Sequence, residues 1–143
     1  AEVVENLDRF KQLRTRNNNI TLQACCTINV FNVYYLETVA NWIEAQGFDF
    51  IYWNMMHDAY YYSISTLPDT AKAVIAERLR TANVSDRVKE EFNRVADFML
   101  RGNSLDGNLL RMNLRDLDFK REQNLAVVEP EFAALIDYDF NRT

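Results

Sequence analysis

Side-chain amides gathered at the ends of strands are this chain's best candidates for chemistry. Asn29, Asn32, Asn54 and His57, with Thr27 beside them, offer donors and acceptors suited to the edge of an adenine or to an amino-acid group. Such groups are costly to bury unpaired, so they require solvent, one another or a ligand. Asn32 has a competing task, because it stands where a helix needs its cap. Cys25 and His57 would form an activated nucleophile if they met across a strand pair. Cysteine is among the most buried residue types, however, and His57 is the single histidine, so plain burial is the stronger reading. Asp118 and Arg121, at i and i+3, suit a modest helix-supporting ion pair. Arg111, Arg115, Lys120 and Arg121 interleave with Asp116, Asp118 and Glu122, the pattern of a solvated face rather than a phosphate track. Tyr60, Tyr61 and Tyr62 offer rings to stack on a ligand or to form a lid over the core. Cys25 and Cys26 alternate to opposite faces of a strand, which argues against a disulfide between them. Nothing else completes a zinc or iron–sulfur ligand set at the usual spacings.

The elements that must carry these residues are legible from periodicity. Over Ile20–Val30 the residues Ile20, Leu22, Ala24, Cys26, Ile28 and Val30 alternate with Thr21, Gln23, Cys25, Thr27 and Asn29, which predicts a strand with one polar face. A fully covered parallel strand would read as an unbroken apolar run, so that polar face meets water, a cavity or a ligand. Asn32 then caps a helix over Val33–Gln46, with Leu36, Val39, Ala40 and Ile43 on its inner stripe and Gly47 as its stop. The aromatic-rich stretch Phe48–His57 reads as a second, buried strand. A strand, helix and strand in this order make a βαβ unit, whose strands lie parallel with a right-handed crossover. Ligands of such folds sit at the carboxyl ends of the strands, where Thr27, Asn29, Asn54 and His57 stand.

Upstream, Glu2–Arg14 reads as a helix with Val3, Leu7 and Phe10 on one face, ended by the polar run Arg16–Asn19. Downstream the chain turns helical. Thr66–Asp69 starts a helix whose buried stripe is Ala71, Val74, Ile75 and Leu79. Ser85 caps the next, with Val88, Phe92, Val95 and Met99 inward and Gly102 at its end. A loop at residues 103–107 precedes a helix bearing Leu110, Leu114 and Leu117, and a last helix opens at Glu129-Pro130 with Phe132, Leu135 and Ile136. The expected architecture is α/β: an αβαβ unit with two parallel strands over residues 1–66, then a four-helix tail over 67–143 packed on it as one compact domain. Two strands leave free edges, which must be capped, paired with another copy, or completed by strands from elsewhere.

At 143 residues, 48% hydrophobic and 26% charged, the chain can bury one real core. Its apolar runs fall far short of a membrane span, and no cationic start leads into an apolar leader. A formal charge of −5 disfavours a nucleic-acid surface. Cytoplasm is the default expectation.

Several words in this order resemble the C-terminal half of twitch-domain-containing radical SAM proteins. They are Thr27-Ile28-Asn29-Val30-Phe31-Asn32-Val33-Tyr34-Tyr35-Leu36, then Trp42-Ile43-Glu44 through Gly47-Phe48, and Tyr52-Trp53-Asn54. Tyr61-Tyr62-Ser63-Ile64 follows, leading to Leu67-Pro68 and Lys72. The tail adds Leu117-Asp118-Phe119-Lys120-Arg121-Glu122-Gln123 and Glu129-Pro130-Glu131-Phe132. The resemblance implies a truncated (β/α) barrel whose parent enzyme holds a [4Fe–4S] cluster and S-adenosylmethionine, cleaves the cofactor to a 5′-deoxyadenosyl radical and abstracts a substrate hydrogen. By position these strands look like the closing strands of that barrel, with Thr27, Asn29, Asn54 and His57 facing cofactor or substrate. The family's C-x-x-x-C-x-x-C motif and first strands are absent, no cysteine follows Cys26, and Asp58-Ala59 stands where the family often has a proline. The resemblance therefore implies a substrate-side segment, inactive alone, whose partner is the missing N-terminal barrel half or a second copy. The competing expectation is a stand-alone interaction or oligomerisation module that keeps the fold without the chemistry.

Overall fold

A computed structural model describes residues 2–104 and 107–140. Its elements run α1 (Glu2–Arg16), β1 (Gln23–Ile28), α2 (Leu36–Ala45), β2 (Phe50–Met55), α3 (Asp69–Thr81), α4 (Asp86–Arg101), α5 (Gly107–Arg121), α6 (Leu125–Val128) and α7 (Pro130–Leu135). β1 and β2 pair in parallel, with Gln23 opposite Phe50, Cys25 opposite Tyr52 and Thr27 opposite Asn54. The two strands and the helix between them form the expected βαβ unit, and no third strand joins the sheet among the described residues. The expected loop residues Leu105 and Asp106 lie outside the described residues.

Both strands are shorter than their hydrophobic patterns predicted. β1 begins later than expected, at Gln23, and ends at Ile28 because Asn29 and Asn32 fold the chain back on itself there. The Asn32 carboxamide accepts from the Asn29 backbone N–H at 3.0 Å and donates to the Thr27 carbonyl at 2.9 Å. Asn32 is thus no cap for α2, whose first turn is instead a 3-10 turn at Val33–Tyr35. At the other end of α2, Gly47 takes the left-handed conformation (φ +68°) that a helix stop requires.

The alternation in β1 holds, since Cys26, Ile28 and Val30 are buried while Gln23 and Cys25 are exposed. β2 was expected to be a buried strand and is not. Phe50 and Tyr52 are each 55% exposed, whereas Ile51 and Trp53 pack on the core. Among the described residues, helices cover one face of the sheet only.

The covered side forms one cluster running from Cys26 to Tyr138, so the sheet and the helical tail share a core. Burying Phe92 and Phe132 alone contributes roughly 1.5–3 kcal/mol each. In α3 the expected stripe is altered: Val74 is exposed, and Lys72 lies buried beside Ala71, Ile75, Ala76 and Leu79. α4 follows its expected pattern, with Ser85 accepting from the Val88 N–H and Val88, Phe92, Val95 and Met99 buried. Gly102 ends α4 against Ser65, so closely that no side chain could occupy the position. The tail holds one more helical segment than expected, the single turn α6.

Asp118 does not pair with Arg121. Its buried carboxylate accepts from the Leu125 N–H at 2.8 Å and from the Tyr138 hydroxyl at 2.7 Å, joining α5 to α6 and the chain's end. Burial and that bond push the Tyr138 phenol well above its ordinary range. No described helix is long and apolar enough to cross a membrane.

Candidate functional site at the carboxyl ends of the strands

Parallel pairing puts both carboxyl ends at one end of the sheet, and the register sets Thr27 directly beside Asn54. Below them on the same open face stand Cys25 beside Tyr52, and Gln23 beside Phe50. The face is therefore aromatic and neutral, carrying hydroxyl and amide groups but no formal charge. Asn54 is exposed, while Thr27 is partly covered.

Asn29 lies just past the end of β1. Its Oδ1 accepts from the Phe31 N–H at 2.9 Å, and its Nδ2 reaches the Thr27 carbonyl at 3.4 Å. This side chain is bonded to the backbone on both sides of it and so shapes the turn at the tip. His57 sits apart from the open face. Its exposed ring stands edge-on to Phe98 of α4, with centroids 5.3 Å apart, on the helix-covered side. The structure thus brings Thr27 and Asn54 together, places Asn29 at the same tip in a supporting role, and separates His57 from them.

Cys25 and His57 do not meet. His57 lies five residues beyond Tyr52, the register partner of Cys25, on the order of 15 Å along an extended chain. Cys26 faces the core, where burial, with Cys25 adding to it, pushes its thiol up to about 11. The two thiols face opposite ways, and no group of three or more His, Cys, Asp or Glu among the described residues could hold a metal ion.

The tyrosine triplet packs beside the chain leaving β1. Tyr60, Tyr61 and Tyr62 stack edge-to-face in sequence, Tyr62 packs on Phe31 at 5.1 Å, and its carbonyl accepts from the Val30 N–H. To turn this corner Ala59 adopts a left-handed backbone (φ +53°), a conformation L-residues other than glycine rarely occupy.

No family model, curated protein or solved structure matches this chain. The open face must be read from its own chemistry. Phe50 and Tyr52 belong to it although their aromatic character suggested a buried strand; the missed signal was their phase with Asn54, a polar residue two and four positions on.

Proposed function

We propose that this chain is the C-terminal, substrate-side part of a radical S-adenosylmethionine enzyme, without activity by itself. One observation carries the reading: a parallel strand pair covered by helices on one face, with Thr27 and Asn54 side by side at the carboxyl ends of its open face. In (β/α) barrels helices lie outside and ligands sit at the carboxyl ends, so the uncovered face corresponds to an inner wall. The shared words from Thr27 to Phe132 give the reading its family.

The donor set does not fit the implied [4Fe–4S] cluster, whose usual ligands are Cys thiolates from several positions. Cys25 and Cys26 diverge, so the cluster belongs to the absent barrel half. The donor set does fit a neutral adenosyl or amino-acid group. Bound S-adenosylmethionine would supply the radical; here the Asn54 amide and Thr27 hydroxyl would orient the ligand, while Asn29 fixes the tip that holds them.

The test begins with the coding sequence upstream of Ala1. An in-frame C-x-x-x-C-x-x-C motif within a domain's length is expected. The joined protein, reconstituted without oxygen, should then form 5′-deoxyadenosine, and Asn54→Ala should weaken cofactor or substrate affinity about tenfold, the value of roughly one charge-assisted or buried hydrogen bond. An upstream frame without that cysteine triplet defeats the reading.

A stand-alone interaction module is the second reading, and α1 is the observation that favours it. No residue of this helix is buried.

A further inference from the structure

α1 is a fifteen-residue helix tied to the body by polar contacts, with Lys11 bonded to the Gln46 carboxamide and Arg14 to the Gly47 carbonyl and the Asp49 carboxylate. Leu7 is partly covered, but the other apolar residues stand in solvent, with Val3 76%, Val4 47%, Phe10 54% and Leu13 45% exposed. A helix this short is marginal in water unless an amphipathic face is packed. Its charges are divided along its length. Residues 2–8 hold Glu2, Glu5 and Asp8 with no cation, and residues 9–16 hold Arg9, Lys11, Arg14 and Arg16 with no anion.

We propose that the occupant of this face is α1 of a second copy, laid antiparallel about a two-fold axis. Antiparallel pairing sets the acidic half of each helix against the basic half of the other, and it opposes the two helix dipoles. A parallel pair would set like charges together. An isologous contact needs a self-complementary surface, which a helix split cleanly into opposite charges provides. Val3, Phe10 and Leu13 form the seam, about 15 Å long at the rise of an α-helix. An interface of one helix a side is small, so the dimer is weak and concentration-dependent. This inference does not rest on the enzyme reading, which concerns the open sheet face.

Sedimentation velocity of the full chain across micromolar to submillimolar concentrations tests it. The expected result is a monomer–dimer equilibrium that weakens as salt is raised. Phe10→Glu and, separately, Leu13→Lys should each raise the dissociation constant about tenfold or more, with the near-ultraviolet circular dichroism of the core aromatic side chains unchanged, which shows that the body of the chain is still folded. Reversing Glu2 and Glu5 to Lys should likewise dissociate the homodimer, and mixing that variant with Arg9→Glu/Arg16→Glu should restore association. A chain that stays monomeric throughout, a dimer indifferent to both seam substitutions, or one strengthened by salt overturns the proposal. None of these results bears on the upstream cysteine motif.

Discussion

Lys72 carries the least expected side chain in the core. It occupies the apolar stripe of α3, is 1% exposed, and donates to the Gly102 carbonyl at 2.8 Å and the Ser104 hydroxyl at 3.0 Å. Ser104 in turn bonds Asp69, whose carboxylate lies 3.8 Å from the ammonium. Burial pulls the Lys72 pKa below the ordinary lysine value, and Asp69 opposes the shift. Because the folded value is lowered, the fold favours the neutral amine, and this group adds stability as pH rises from its folded toward its unfolded value. Its bonds nonetheless satisfy the end of α4, where no helical N–H is available to the Gly102 carbonyl. Lys72→Met keeps the length and removes the donor, so it should destabilise the chain by about 1–3 kcal/mol, the usual consequence of an orphaned buried acceptor. Urea denaturation measures this, and an unchanged midpoint would show that the contact contributes nothing. The lysine was invisible to pattern reading for a physical reason: periodicity marks which positions face inward, but a long aliphatic stem can occupy such a position and deliver its charge to a distant backbone group.

Among the elements, α1 and the strands hang on Asp49. Its Oδ2 accepts from the Leu22 N–H at 2.7 Å and from Arg14 at 3.0 Å, so a single exposed carboxylate ties α1 and the chain entering β1 to the start of β2. The Leu22 N–H, and then Arg14, hold its pKa below the ordinary carboxylate range. A lowered folded value means the tie is fully present above the unfolded value, about 3.9, and is lost as pH falls through the folded one. The Leu22 amide resonance should therefore titrate with a midpoint below about 3.9. Asp49→Asn should abolish that titration and speed hydrogen exchange in α1, and a midpoint above the ordinary value would contradict the tie. The strand pair, the helix between them and the caps at Gly47, Ser85 and Gly102 were legible because each rests on local periodicity or on one residue's conformational range. Asp49 and Arg14 were not, since their meeting depends on how α1 folds back, over a separation of 35 residues. Asn32 failed as a cap for the same reason: its strongest partner, the Thr27 carbonyl, exists only once β1 has ended.

At the scale of the molecule, the sheet is covered on one face and open on the other among the described residues. The core side is closed by α2 and the helical tail, while Phe50, Tyr52 and Asn54 stand in solvent beside Gln23, Cys25 and Thr27. Exposed aromatic side chains on a sheet are a liability unless something covers them. Sequence alternation predicted the polar face of β1 and left three fates open for it; it read β2 as buried from its aromatic residues, and Phe50 and Tyr52 overturn that because aromatic side chains suit an uncovered sheet face as well as a core. Cys25 offers a reporter for what happens to this face, because it is exposed there while Cys26 is buried with a thiol pushed up to about 11. Iodoacetamide at mildly alkaline pH should modify Cys25 of the isolated native chain and leave Cys26 until the protein is unfolded, as peptide mass spectrometry would show. If the face is the inner wall of a barrel, adding the missing half should slow labelling of Cys25 about tenfold or more, since a covered group reacts only through opening of the assembly. Cys26 should be unaffected, which separates coverage of the open face from a general gain in stability. Dimerisation through α1 alone should leave Cys25 reactive, so the same thiol distinguishes an interface on that helix from completion of the sheet.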